Sequence, residues 1–226
     1  SVFSSARRAA SAPVSFARAV HASRATLARN AERGCRVRTS NEDFDEWLER
    51  SSADLAMMTT ETPQGPFPYA GVPWFCCPFG RDALVTAFET LWMDPALARG
   101  VLGFLAATQA TESDAARDAE PGKILHEARG GEMAALREIP FGRYYGSADA
   151  TPLFVMLAGA YWRRTGDTAT IERLWPNVER ALEWIERHGD RDGDGFVEYA
   201  ARLPTGLRHQ GWKDSGNAIV NADGSM

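Results

Sequence analysis

A carboxylate close to an aromatic ring is the first candidate for chemistry in this sequence. In the segment HQGWKDSGN, Asp214 follows Trp212 and Lys213. A group that donates a proton near neutral pH needs a raised pKa, and burial of a carboxyl against a ring raises it. Asp214 is therefore a candidate general acid, provided that Lys213 points away or contacts the substrate. The alternative is an ordinary surface turn.

A second group of polar side chains precedes a predicted helix in the segment GVPWFCCPFGRD. Arg81 and Asp82 follow Phe79, and Trp74 lies a few residues earlier. This combination suits a sugar, because the C–H faces of a sugar stack on aromatic rings while its hydroxyls need fixed donors and acceptors. The alternative is that Asp82 favours the helix N-terminus and Arg81 lies on the surface.

Two further segments, PGKILHEARGGEMA and PFGRYYGSADATP, combine acids, bases and hydroxyl groups. Their candidate residues are Lys123, His126, Glu127, Arg129, Glu132, Arg143, Tyr144, Tyr145 and Asp149. Glu127 and Glu132 could form an acid/base pair, but His126 is not followed by a second histidine at helical spacing, so a zinc hydrolase is not expected. The alternatives are a salt-bridged loop for the first segment and a helix cap for Asp149.

The segment GDRDGDGFVEY begins like a calcium-binding loop. Asp190, Asp192, Asp194 and Gly195 match the early positions, but the twelfth position, where a bidentate glutamate is expected, is Ala201. The EF-hand pattern therefore fails, and a tight Asp/Gly turn is the favoured interpretation. No metal or cofactor is predicted, with Ca²⁺ at the three aspartates as the alternative.

Apolar residues at helical spacing predict a protein of helices with almost no strands. Asn41 is a good N-cap for a first helix, whose apolar positions are Phe44, Trp47, Leu48 and Leu55. The segment 60–80, interrupted by prolines, is a predicted loop, and a helix is predicted from Arg81 to Met93.

Three cap signals predict the remaining helices. Asp94 and Thr151 each precede a proline at the first helical position, and Asp167 caps a helix just after Gly166, which ends the previous one. The predicted buried positions are Leu97, Val101, Phe104 and Leu105, then Ile171, Leu174, Trp175, Val178, Leu182 and Ile185. Short turns alternating with long loops predict a layered ring of antiparallel helices, with loops 60–80, 112–149 and 189–215 at one end.

Composition favours a globular cytoplasmic protein. The chain has 226 residues, of which 44% are hydrophobic and 24% are charged. No apolar run approaches the ~18 residues of a membrane helix. Three cysteines without metal-ligand spacing indicate a reducing compartment. Adjacent Cys76 and Cys77 are interpreted as buried small hydrophobic residues, with redox sensing or soft-metal binding as the alternative.

Charge divides the sequence at about residue 40. Residues 1–40 contain eight arginines and one acid, Glu32, whereas residues 41–226 are strongly acidic. The first segment is predicted to be a basic helical region or linker, with a helix over about residues 14–33, and a transit peptide is the alternative. Binding to nucleic acid is not expected, because the acidic remainder would repel phosphate.

Four segments, in this order, resemble the glucosidase domain of glycogen debranching enzymes, especially bacterial amylo-α-1,6-glucosidase-like proteins. The resemblance covers about residues 40–226. PWFCCPFGRD is similar to the aromatic-FGRD segment of the family, PGKILHEARGGEMA to a loop, FGRYYGSADATPLF to a helix start and GWKDS to the acid-bearing segment. The resemblance implies an all-α fold, the (α/α)6 toroid of six-hairpin glycosidases that glucoamylase and trehalase share.

The resemblance also assigns roles to individual residues. It implies that Asp214 is the general acid and that Arg81 and Asp82 hold hydroxyls of a terminal glucose. Glu127, Arg129, Tyr145 and Asp149 would line the pocket, Trp74, Phe79 and Trp212 would supply aromatic contacts, and Lys213 would contact the substrate.

The implied activity is release of glucose from α-1,6 branch points of glycogen or related α-glucans with inversion. An inverting reaction needs a second carboxylate, which the resemblance places beyond Met226. The sequence is therefore expected to be a fragment with about the first half of the toroid, inactive alone and able to self-associate through the open edge. The alternatives are a glucoamylase- or trehalase-like exo-acting α-glycosidase and a non-catalytic carbohydrate-binding module.

Overall fold

The computed structural model describes residues 15–136, 138–215, 217 and 219–225. The chain forms two compact units that divide between Met57 and Met58. The first fourteen residues of the predicted basic segment lie outside the described residues. No helix in the described part of the chain has the length and apolar character needed to cross a bilayer.

The described part of the first unit consists of two helices, α1 (Phe16–Arg33) and all but the last residue of α2 (Glu42–Met58). Asn41 caps α2 as predicted, since its side-chain oxygen accepts a hydrogen bond from the Phe44 amide at 3.1 Å. The helix is confirmed, and its apolar positions are not fully buried. Phe44 and Trp47 are exposed, and α2 has no fully buried residue in the part that the structure describes.

Helices are the main regular structure of the second unit, and the described chain as a whole is mostly helical, in agreement with the predicted all-α class. Its elements are β1 (Thr59–Thr62), β2 (Gly65–Pro68), α3 (Gly80–Glu89), α4 (Pro95–Thr108), α5 (Glu132–Ala135), α6 (Ala150–Thr165) and α7 (Thr168–Trp184). A π-helical turn, Ile185–Gly189, extends α7. Two short 3-10 turns lie at Ala115–Arg117 and Pro140–Gly142.

The small hairpin β1–β2 corrects the predicted loop 60–80. Thr59 pairs with Pro68 and Thr62 with Gly65 in an antiparallel register. Gly65 supplies the positive φ of the turn, and Phe67 is completely buried. Prolines are tolerated because each strand of a two-stranded sheet has a free edge.

Helix α4 forms the centre of the hydrophobic core. It packs against β2, α3, α6 and α7, and Val101, Leu102 and Leu105 are fully buried. Gly100 permits the close approach of the hairpin, because a Cβ there would collide with the carbonyl oxygen of Pro66. The predicted Asp94 cap is confirmed by a 3.1 Å hydrogen bond from the Ala96 amide.

Helices α6 and α7 meet at the predicted Gly166–Asp167 junction. Gly166 adopts the left-handed conformation, and Asp167 accepts a hydrogen bond from the Thr170 amide at 3.1 Å. The predicted face of α7 is wrong in part, because Trp175 and Leu182 are exposed. The buried residues are Leu174, Val178, Ala181 and Trp184, whose three- and four-residue spacing follows one side of the helix.

Helix α3 is shorter than predicted. It ends at Glu89 rather than Met93. Residues 90–93 instead form a turn closed by the Asp94 amide, which donates to the Thr90 carbonyl at 2.8 Å. This turn leads directly into the cap of α4, so one local signal ends α3 and begins the next helix.

Candidate active site

Arg81, in the first turn of α3, is the centre of the site and is only 6% exposed. Its Nη2 donates to the Asp214 carboxylate at 2.7 Å, and its Nη1 lies 3.3 Å from the Asp149 carboxylate. Nη1 also donates to the Gly211 carbonyl at 2.7 Å. Burial lowers the pKa of Arg81, but Asp149 and Asp214 outweigh this effect, so the net pKa is raised.

Glycine at position 80 allows the start of α3 to reach this place. The Gly80 amide donates to the His126 carbonyl at 2.8 Å. A Cβ at Gly80 would collide with the carbonyl oxygen of Leu125. The backbone of Glu127 then pairs with both Phe79 and Tyr144. The start of α3 and the segments around Glu127 and Tyr144 are therefore held together by their backbones.

Glu127 forms the second ion pair of the site. Its side chain is almost fully buried, and Arg129 Nε donates to it at 2.7 Å. Burial raises the pKa of Glu127 and the hydrogen bond from Arg129 opposes the rise, while nearby Asp214 and Asp82 raise it further. The pKa of Asp82 is also raised by burial, against the effect of Arg81. Asp82, Glu127 and Asp214 therefore share one electrostatic environment.

Two of the predicted aromatic residues present their rings to solvent. Trp74 is 79% exposed and Trp212 is 64% exposed. The Arg81 guanidinium carbon lies 5.3 Å from the centre of the Trp212 ring. An exposed ring beside a charged fork offers both an apolar surface and hydrogen-bond donors.

The other predicted site residues have different settings. Phe79 is buried and its ring contacts those of Phe75 and His126. Tyr145 is 2% exposed, and its hydroxyl donates to the Thr108 carbonyl at 2.7 Å. Both residues therefore support the site from the core. Lys213 is exposed beside Asp214.

His126 lies beneath the site between the rings of Phe79 and Tyr144. Burial and the nearby Arg81 charge lower its pKa to about 4, so the imidazole is neutral at pH 7. Its Nδ1 is buried and has no hydrogen-bond partner among the described residues. The surroundings of Arg81 therefore gain no further positive charge near neutral pH.

The cysteine prediction is corrected at one position. Cys76 is exposed, and Cys77 is only partly buried. Burial, followed by the charge of Glu127, raises the pKa of Cys77 to about 11. The Cys77 thiol therefore stays protonated at neutral pH, and the reactive thiolate form is disfavoured.

Sequence analysis did not identify the residues that hold the Asp214 segment in place. We call residues 202–214 the strap; all of them are described, and none lies in a helix or strand. Asp118, only 3% exposed, accepts hydrogen bonds from the Arg202 amide at 2.9 Å and from Gln210 Nε2 at 3.1 Å. Glu120 forms an ion pair with Arg202 and accepts a hydrogen bond from Trp184 at 2.8 Å. Sequence spacing gives no signal for contacts over 80 residues apart.

One group of carboxylates could hold a hard cation. Oxygen atoms of Asp190, Asp192, Asp194 and Glu198 lie within 4.8 Å of one another. Glu198 supplies the fourth carboxylate, which the calcium-loop pattern sought at position 201. Both oxygens of Asp190 already accept backbone N–H groups of the turn. The predicted Asp/Gly turn is thus present, and its oxygens are of the type that Ca²⁺ prefers.

Neither a protein-family model nor a curated protein matches the chain. The functional argument therefore rests on the geometry of the site, in which a buried guanidinium holds two carboxylates beside two more acids and the exposed ring of Trp212.

Proposed function

We propose that the Arg81 site binds the terminal glucose residue of an α-glucan, and that the protein is a glycoside hydrolase of the amylo-α-1,6-glucosidase kind. The observation that carries the proposal is the contact of Arg81 with both Asp149 and Asp214 beside the exposed ring of Trp212. A glucose ring has apolar C–H faces that stack on indole and neighbouring hydroxyls that bind charged forks.

In this proposal the remaining polar groups select the glucose hydroxyls. Asp82 follows Arg81 on α3, and Glu127 is held by Arg129 at 2.7 Å. Asp149 is fixed in turn by the Ser147 hydroxyl, which donates to it at 2.6 Å. Such fixed groups lose little conformational entropy on binding, which favours recognition of one sugar orientation.

Asp214 is the proposed proton donor to the glycosidic oxygen. Its carboxyl oxygen lies 2.7 Å from Arg81 Nη2, so this contact must break before Asp214 can reach the glycosidic oxygen. In this proposal, sugar hydroxyls that bind the Arg81 N–H groups displace the Asp214 carboxyl from Arg81. The carboxyl is then free to approach the glycosidic oxygen. Inversion also requires a water held by a second carboxylate, about 6.5–9.5 Å from the acid.

We also propose that α3, α4, α6 and α7 belong to an (α/α)6 toroid. These helices pack on one another, and the site lies where α3 and α6 begin. Exposed Phe88, Met156 and Trp162 on α3 and α6 leave apolar surface that other helices or a second copy would cover. The free cysteines fit a cytoplasmic protein.

The test is release of glucose from a branched limit dextrin by the full-length protein and by its Asp214→Asn variant, with the product anomer followed by NMR. We expect β-glucose from the wild type and at least a hundredfold less from the variant. Asp223→Asn, which changes an exposed carboxylate outside the site, is the matched control and should retain activity. Formation of α-glucose would overturn the inverting mechanism.

The ion pair between Arg81 and Asp214 favours a second candidate, a helical carbohydrate-binding module without catalysis. In that case the carboxylates of Asp149 and Asp214 would serve only to hold the Arg81 side chain in place. Calorimetric titration with a glucose-configured iminosugar separates the two candidates. Binding without any glucose release would support the binding module. Absence of both binding and glucose release would contradict the hydrolase and the binding module alike.

A further inference from the structure

The strap must place Asp214 beside Arg81 without help from regular secondary structure. Strands and helices fix register through repeated backbone hydrogen bonds, and residues 202–214 have no such ladder. A shift of one residue along an extended segment moves each side chain by about 3.3–3.6 Å, which is enough to break a hydrogen bond. Individual side-chain contacts must therefore set the position of Asp214.

Asp118 is connected to the strap at three positions. One carboxylate oxygen accepts the Arg202 amide at 2.9 Å, and the other accepts Gln210 Nε2 at 3.1 Å and the Tyr144 hydroxyl at 2.9 Å. The Tyr144 oxygen in turn accepts the Leu207 amide at 2.8 Å. Asp118 thus contacts the strap at Arg202 and Gln210 directly and at Leu207 through Tyr144.

Gln210 is the strap residue with contacts on two sides. It is 1% exposed, and its backbone carbonyl accepts the Ala148 amide at 2.6 Å. Its side chain donates to Asp118. Ala148 directly precedes Asp149, and Gly211, directly after Gln210, bonds to Arg81. Gln210 therefore lies between the Asp118 contact and the Arg81 site.

We propose that Gln210, clamped between Asp118 and Ala148, is a positioning residue that holds Asp214 against Arg81. Its effect on sugar binding rests on the proposed function, whereas its effect on the strap does not. The side-chain amide of Gln210 donates one of the hydrogen bonds that the buried Asp118 carboxylate accepts, beside those from Arg202 and Tyr144. Because a buried, hydrogen-bonded pair tolerates loss of either partner poorly, the strap is fixed in one register.

The test exchanges donor and acceptor between the two side chains. Gln210→Glu keeps the side-chain size, removes the donor and places a second carboxylate against Asp118. Asp118→Asn combined with Gln210→Glu restores a donor facing an acceptor at this pair, but the new amide N–H can no longer accept the Tyr144 hydroxyl. The Asp118→Asn single variant loses the same Tyr144 contact and completes the cycle. Gln210→Met removes the hydrogen bond without added charge and remains informative if Gln210→Glu does not fold. Asn217→Asp, at an exposed position, controls for charge.

Two measurements follow each variant: amide hydrogen exchange of residues 207–215, and calorimetric titration with a glucose-configured iminosugar. We expect Gln210→Glu and Gln210→Met to speed exchange in the strap at least tenfold, with α4 and α6 unchanged, and to weaken binding at least tenfold. The double variant should show smaller effects than the sum of its two single variants, and Asn217→Asp should change neither exchange nor binding.

Unchanged strap exchange in both single Gln210 variants, or a double variant with the full sum of its two single effects, would overturn the proposed positioning role. Faster exchange with unaltered iminosugar affinity would also contradict it, because Asp214 would then bind without the clamp. Absence of iminosugar binding by the wild type would refute the proposed function instead. The exchange data would still decide whether Gln210 holds the strap.

Discussion

The helical frame formed by α3, α4, α6 and α7 and the strap of residues 202–214 are held in place by different forces. The frame buries apolar side chains such as Leu102, Leu105 and Phe154 completely. The strap is joined to its surroundings mainly by polar contacts, through Asp118 and Arg81. Non-directional burial gives the frame its stability, and directional hydrogen bonds give the strap its register.

The difference has an energetic consequence. Full burial of one large aliphatic side chain contributes about 1.5–3 kcal/mol, while one hydrogen bond contributes about 1 kcal/mol net. Each strap contact is therefore weaker than the burial of one large core side chain, and opening of the strap should cost less than unfolding of the frame. A segment that carries a reacting carboxyl gains from this arrangement, because it can move without unfolding the core.

The largest effect should come from the core of the frame. Leu102→Ala removes a fully buried side chain of α4 and should lower the free energy of unfolding by about 3–4 kcal/mol, measured by urea denaturation. Leu182→Ala, at a 40% exposed position of α7, is the matched control and should cost less than about 0.5 kcal/mol. Equal losses would show that apolar burial does not distinguish these sites.

Acidification should weaken the region beneath the site, because the pKa of His126 falls from 6.5 to about 4 on folding. The unfolded chain binds this proton more readily, so the stability from neutral His126 is present above pH 6.5 and is lost as the pH falls toward 4. The loss should reach about 3 kcal/mol.

His126→Gln removes the titrating group while keeping a polar side chain. Urea denaturation at pH 7 and pH 4.5 should show a steeper loss for the wild type than for the variant. A parallel pH dependence of the two proteins would contradict the burial of a neutral His126. Comparison of the slopes removes the contribution of carboxyl groups that titrate in both proteins.

A smaller effect is expected from one methyl group in the strap. A Cβ at Gly206 would lie 2.6 Å from the Tyr144 hydroxyl oxygen, so Gly206→Ala should push the strap from its anchor. The amide hydrogen-exchange rates of residues 207–214 should rise about tenfold, which corresponds to a loss of about 1.4 kcal/mol in local stability. The exchange rates of α4 should not change. At Gly211 no described atom comes within 4 Å of an added Cβ, so Gly211→Ala is the control and should leave exchange unchanged.

The smallest effect should come from an ion pair on the surface of the frame. Arg187 contacts Glu183 one turn away at 2.6 Å, and both side chains are more than half exposed. Arg187→Ala should change the free energy of unfolding by less than about 0.5 kcal/mol in urea denaturation. A larger loss would mean that exposed polar contacts hold the frame as well as the strap.

Local signals accounted for much of the frame. Asn41, Asp94 and Asp167 were predicted as caps, and each accepts the expected backbone hydrogen bond. A cap is formed by residues two or three positions apart, so its evidence lies within a few letters of sequence. The buried face of α7 was predicted less well, because Trp175 was placed on it as an apolar residue but is exposed.

The candidate site was predictable by residue type but not by arrangement. Arg81, Glu127, Asp149 and Asp214 stood out as charged groups in loops or at helix starts. Their type did not indicate that Arg81 would contact both Asp149 and Asp214. The pairing of Glu127 with Arg129 agrees with the salt-bridged loop that was the alternative for that segment. The Asp118 contacts gave no signal at all, because an aspartate and a glutamine are ordinary surface residues until a fold buries them.

The helical class, the caps and the set of side chains able to do chemistry could be predicted from the sequence, because these depend on periodicity and on near neighbours. The folded arrangement establishes which carboxylates contact Arg81 and how Gln210 and Asp118 hold the strap. Those contacts join residues 68–133 positions apart. Their energies arise from burial and direction in space, which linear spacing does not encode.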